Sequence, residues 1–169
     1  MSRNAFAFVV TFFLVAAAAQ SQAAPIYYPD QRNADFSIDV PDNWELEQAD
    51  EEGGFFTVTG PTGVQLSFRT IESDDDQIDA AIEQSVQWVF DNYDDVEMGD
   101  PEDIVQNGMT GFNMTGTARD RDSRDKVVIV MAWLALKRSH LAEVLVIVEP
   151  NDKRGLAAAE RVIKTLRRR

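Results

Sequence analysis

The chain has 169 residues, a formal net charge of −13 and no cysteine. Its length suits one domain that buries a core without metal or disulfide staples, and the lack of cysteine excludes disulfides, thiolate metal sites and a lipid-anchoring thiol. The excess of acid disfavours nucleic acid and anionic lipid as partners and favours cations or basic protein surfaces.

At the N-terminus Arg3 precedes an apolar run from Ala5 to Ala19, followed by small and polar residues ending in Ser21, Gln22 and Ala23. This is the pattern of a secretory signal peptide. The run is short for a membrane span, which needs about 20 apolar residues, so residues 1–23 are expected to be cut off after Ala23. Cleavage would remove one base and no acid, leaving a soluble protein in the periplasm or outside the cell, with no integral membrane span. Residues 24–35 hold two prolines and no periodic pattern and read as an extended leader. Residues 36–169 read as a single domain.

Phe36, Ile38 and Val40 alternate with Ser37 and Asp39, the period of a strand with one buried face. Pro41, Asp42 and Asn43 supply turn chemistry, after which Trp44 and Leu46 resume the alternation. Two further strand runs, FFTVTG and VQLSFRTI, flank Gly60, Pro61, Thr62 and Gly63 and read as a hairpin. Asp74 followed three residues later by Gln77 matches a capping box. Ile78, Ile82, Val86, Val89, Phe90 and Tyr93 then recur at helical spacing, predicting a helix that lies on a sheet.

Short strands are expected at Glu102 to Gln106 and Gly111 to Arg119, separated by a turn at Asn107 and Gly108. The runs KVVIVMAWLAL and LAEVLVIVE follow. In the first, Val127, Ile129, Met131 and Trp133 point one way and Val128, Val130, Ala132 and Leu134 the other. A strand apolar on both faces belongs in the middle of a sheet covered on both sides. The second cover is the C-terminal segment, capped by Asn151 or Asp152, with an inward stripe of Leu156, Ala159, Ile163 and Leu166. The expected class is α+β: an α/β/α sandwich with a central, mainly antiparallel sheet and two covering helices.

Candidate chemistry is sparse. His140, in the turn KRSH, sits beside Ser139, but sequence adjacency does not build a Ser-His-acid triad, and a solvated turn residue is expected. With one histidine and no cysteine, carboxylates are the remaining metal ligands, which points to calcium or magnesium rather than zinc. Two acidic clusters qualify: Asp74 to Asp76, and the run Asp91, Asp94, Asp95, Glu97, Asp100, Glu102, Asp103. Neither has the EF-hand spacing; the first also suits a helix N-terminus and the second a solvated loop. Asp91, Asp94, Asp95 and Glu97 are the candidate calcium ligands. Glu143, inside an apolar strand, is expected at an edge or paired with Lys126 or Lys137. Trp44, Trp88 and Trp133 suit core use, except that Trp88 lies off the main helical stripe; with Tyr93 it marks a candidate groove or partner contact. Asn113 begins an NMT glycosylation triplet within a strand. The basic residues Arg161, Lys164 and Arg167 to Arg169 complement a helix C-terminus.

The opening FSIDVPDNW, with Phe36, Pro41 and Trp44, resembles the F-x-x-x-x-P-x-x-W start of PsbP-like domains, and the element order over 36–169 is similar. That family includes the extrinsic subunit of the photosynthetic oxygen-evolving complex, a nuclear-transport factor that binds the GTPase Ran, and bacterial DcrB-like relatives. The resemblance implies an α/β/α sandwich and action by binding or assembly without catalysis; lipoprotein relatives carry an anchoring cysteine missing here. No catalytic residue, phosphate loop or cofactor site is assigned. The leading expectation is an exported, non-enzymatic module that engages a protein partner and, in one version, calcium. The alternatives are a small-molecule or lipid carrier using a groove between helix and sheet, and a carboxylate-based hydrolase.

Overall fold

A computed structural model describes residues 23–48, 54–72, 75–137 and 140–169, with the backbone alone for 72 and 75–77. Residues 1–22 of the expected signal peptide, the capping box at Asp74, the side chains of Asp75 and Asp76, and Ser139 lie outside the described residues. The fold is α+β. Its centre is an antiparallel sheet built from β3 (Glu45–Glu47), β4 (Phe56–Thr59), β5 (Gln65–Glu72), β6 (Tyr93–Met98), β7 (Glu102–Gln106), β8 (Met109–Asp120), β9 (Lys126–Ala135) and β10 (His140–Val148). The order is β3-β4-β5-β10-β9-β8-β6, with β7 also on β8.

β9 sits between β8 and β10, so its two apolar faces meet two separate cores. Val127, Ile129, Met131 and Trp133 pack with Ile82, Val86 and Val89 of α1 (Asp75–Asn92). Val128, Val130, Ala132 and Leu134 pack on the opposite side with Ala159 and Val162 of α2 (Lys153–Ile163). The alternation therefore places the helices on opposite faces, and each fully buried aliphatic or aromatic side chain contributes about 1.5–3 kcal/mol.

The second face has an additional cover. β1 (Ala23–Tyr28), β2 (Phe36–Pro41) and β11 (Arg167–Arg168) form a small sheet in the order β1-β2-β11. Residues 23–28 are thus a paired strand of the fold, where a leader is expected; Tyr28 is buried with its ring 5.3 Å from that of Phe36 and 5.7 Å from that of Phe56. The prolines masked this strand because its alternation is short and lies on a sheet edge, where proline is tolerated. The basic tail likewise ends as a strand, with Arg167 paired to Asp39 at 2.9 Å and Arg169 Nε donating to Ser37.

Other differences are local. Trp44 stands in the turn after β2, its N–H donating to the Pro41 carbonyl, and Leu46 is exposed on the short edge strand β3. Gly60 accommodates the Trp44 ring: a Cβ there would lie 2.9 Å from Val64 and 3.0 Å from the indole. Phe90 is exposed and Ser85 is buried in its place on α1. On α2 the inward stripe is Gly155, Ala159 and Val162, continued by the buried Leu166, while Leu156 faces solvent. Asp152 is the N-cap, accepting from the Gly155 N–H at 2.8 Å. The Asn107–Gly108 turn joins β7 to β8 with both residues at positive φ (48° and 76°), as a two-residue hairpin of the primed type requires.

Candidate functional site

The acidic segment after α1 is a strand, not a loop. Tyr93, Val96 and Met98 turn towards the α1-side core, and the acids between them obscure that alternation in the sequence. Asp94 is held by Arg121 at 3.1 Å and by Arg124, and Asp95 by Arg119 at 3.0 Å. The Arg124 and Arg121 guanidiniums hold the Asp94 carboxyl below the usual carboxylate range. Arg121 also donates to the carbonyls of Asp91 and Phe90, closing the C-terminus of α1, which has no basic residue in its last turn. The Asp91 side chain accepts from Gln87 at 2.9 Å, and Glu97 is exposed. Asp91, Asp94, Asp95 and Glu97 are therefore neighbours in the fold without forming a ligand set: among the described residues no three carboxylate or imidazole groups gather as a metal would require.

Beyond this arginine-bound part, Glu97, Asp100, Glu102 and Asp103 are exposed and have no ion pair among the described residues. β6 and β7 follow one another along the same side of β8, so these four carboxylates line one border of the sheet, with Val105 75% exposed beside them.

Glu143 is completely buried, neither at an edge nor paired with lysine. It lies opposite Arg69 across β10 and β5, and the Arg69 Nε donates to its Oε2 at 2.6 Å. The other end of the guanidinium donates to the Ser85 hydroxyl at 2.8 Å, and its Cζ stands 4.4 Å from the Phe55 ring centre. Sequence reading missed Arg69 because β5 and β10 are far apart in the chain; the available signal was a lone cation in a strand whose Leu66, Phe68 and Ile71 mark it as part of the core. Glu143 Oε1 and the Nε1 of its other cross-strand neighbour, Trp133, have no hydrogen-bond partner within the protein.

Between the N-terminal half of α1 and the sheet runs a groove of about 480 Å³ lined by Ile78, Ile82, Phe112, Trp133 and Leu141, with Asp79 and Glu83 at its rim. Trp88 and Tyr93 lie towards the other end of the helix. They meet edge to face at 6.4 Å, Trp88 being 45% exposed. His140 opens β10 and is partly buried, its Nδ1 3.1 Å from Asp35, so it fastens the segment after β1 to the main sheet instead of standing free in solvent. No described helix is long and apolar enough to cross a membrane.

No protein family matches the sequence, and no curated protein matches it either. Solved structures do match in shape. The cyanobacterial PsbP (CyanoP) of Synechocystis sp. PCC 6803 superposes with a TM-score of 0.64 at 10% identity, covering 90% of this chain and 96% of its own. LpqN of Mycobacterium tuberculosis, a protein involved in cell envelope biogenesis, gives 0.58 at 13% identity over 86% of this chain and 89% of its own. A Pseudomonas aeruginosa protein of unknown function gives 0.54 at 13% identity, covering 86% and 97%. The chain has a PsbP-like fold.

Proposed function

We propose that the chain is an exported, non-catalytic binding module that engages a basic protein partner through the border formed by β6 and β7. The observation that carries this reading is the division of the acidic segment. Asp94 and Asp95 are consumed by arginines, whereas Glu97, Asp100, Glu102 and Asp103 stay exposed around the apolar Val105 with no ion pair among the described residues. Unpaired like charges on one border repel one another, and a basic surface relieves that repulsion while steering its own approach. Export rests on the signal-like N-terminus. The likeness to CyanoP and LpqN supports a module that works by association.

The test is capture from the extracytoplasmic fraction on immobilised protein, in parallel with a variant carrying Glu97→Gln, Asp100→Asn, Glu102→Gln and Asp103→Asn. A specific basic partner is expected on the unaltered protein, lost from the variant and released at high ionic strength. Equal capture by the two proteins would refute this surface.

A further inference from the structure

Between α2 and the turns that follow β2 and β4 lies a cleft of about 410 Å³ whose lining holds two cations and no acid. Pro41, Trp44, Pro61 and Val64 form one wall, and α2 forms the other, with Ala158 between Arg154 and Arg161. Three other clefts of comparable size each carry acids, namely Asp95 and Glu97, Asp35, and Asp79 and Glu83. Acids outnumber bases by 29 to 16 in this chain, so a lining charged in the opposite sense runs against its composition. The source is local: residues 153–169 hold seven bases and one acid, Glu160, which gives an acidic molecule one basic side.

The two arginines are seven residues apart, so they share a face of α2 and are rooted about 10 Å from each other. Neither has a hydrogen bond or an ion pair among the described residues. The neighbouring acids are engaged elsewhere, Glu160 with Lys164, Asp39 with Arg167, and Asp152 with the Gly155 N–H that it caps. Trp44 is already in place: its backbone N–H donates to the Pro41 carbonyl and its ring lies against Gly60 and Val64, so a ligand meets a preset apolar wall and orders no large side chain there.

The ligand class follows from this lining. The volume falls in the range of small-molecule sites, and an indole with two prolines accepts an aliphatic or aromatic body. A guanidinium fork pairs with a carboxylate through two parallel charge-assisted bonds; an ammonium meets repulsion from both arginines, and a neutral head forgoes the charge. The negative field of the rest of the molecule is screened beyond about 8 Å at physiological ionic strength, which leaves the nearest charges to decide. We propose that this cleft binds a small molecule with an apolar or aromatic body and a carboxylate head, the body lying between Trp44 and Ala158 and the head taken by Arg154 and Arg161. The site shares no residue with the β6–β7 border and does not depend on the protein-partner reading.

The experiment is calorimetric titration of the whole protein with 4-phenylbutanoate and with 4-phenylbutanamide, which matches it in shape but carries no charge. Saturable binding of the carboxylate is expected, with the amide weaker by about tenfold or more, the worth of a charge-assisted hydrogen bond. Arg154 and Arg161 are exposed and hold nothing else in place, so the double variant Arg154→Gln, Arg161→Gln keeps the fold and should bring the carboxylate down to the level of the amide. Arg168→Gln removes a charge from the same basic side outside the cleft and should leave binding unchanged. Trp44→Leu should weaken both ligands. Carboxylate and amide bound alike, or an equal loss from Arg168→Gln, would overturn recognition by the arginine pair. Absence of saturable heat with 4-phenylbutanoate would overturn the site itself.

Discussion

Arg69 joins three elements through one side chain: β10 by Glu143, α1 by Ser85, and the segment before β4 by stacking on Phe55. Removing it leaves a fully buried carboxylate without its counter-charge, so Arg69→Ala is expected to cost about 3–5 kcal/mol in urea unfolding, whereas Arg69→Met combined with Glu143→Leu should cost much less. Asp94 acts at the surface. Its carboxyl is lowered by hydrogen bonds from Arg124 and Arg121, so its contribution is complete above the ordinary aspartate value of about 3.9 and disappears as pH falls through the lower folded value. Asp94→Asn is expected to flatten the decline of melting temperature below about pH 4 and to leave its slope near neutrality unchanged. The sequence showed the acids of this segment but not their partners. Arg119, Arg121 and Arg124 sit in and beside a distant turn, and the β8–β6 register that brings them over is a tertiary fact.

At the scale of elements, β9 and β10 were legible because apolar residues on both faces leave a strand no place but the interior. The helices were legible as helices, yet each stripe was misplaced by a residue or two. Small or polar residues, Ser85 on α1 and Gly155 on α2, took inward positions that a hydrophobic count assigns to Phe90 and Leu156. β1, β6 and β11 went unread because they are edge strands, half-polar or very short, and pairing defines them more than composition does. The β7–β8 hairpin shows how such pieces are tied together. Gln106 donates to the Ile163 carbonyl, and the Asn107 amide donates to the carbonyls of Lys164 and Leu166 at 3.0 and 2.7 Å, closing the C-terminus of α2. Asn107→Gly keeps the positive φ and deletes those two bonds, so a loss of about 1–2 kcal/mol in chemical denaturation is expected. Gly60→Ala pushes a methyl into the Trp44 ring and Val64; a cost of about 1–3 kcal/mol is expected, read from the same unfolding curves.

For the molecule as a whole, the small sheet makes the N-terminal boundary a matter of stability. A chain starting at residue 36 lacks Tyr28, the ring that packs on both Phe36 and Phe56, and so opens that end of the aromatic cluster. Such a truncation is expected to lose its cooperative thermal transition by calorimetry, whereas one starting at residue 23 should retain it. The α+β class and the placement of helices on opposite faces followed from patterning alone; the three-stranded cover did not, since no local signal tells a proline-bearing leader from an edge strand. The two borders of the main sheet share one further property. One ends in Glu45 and Glu47 on β3, the other in Glu97, Glu102 and Asp103 on β6 and β7. At neutral pH two molecules meeting border to border would bring rows of negative charge together, so the open backbone groups there cannot recruit a neighbouring strand. Acid removes that barrier while leaving Leu46 and Val105 uncovered, so these borders are where contact between two copies is then least opposed.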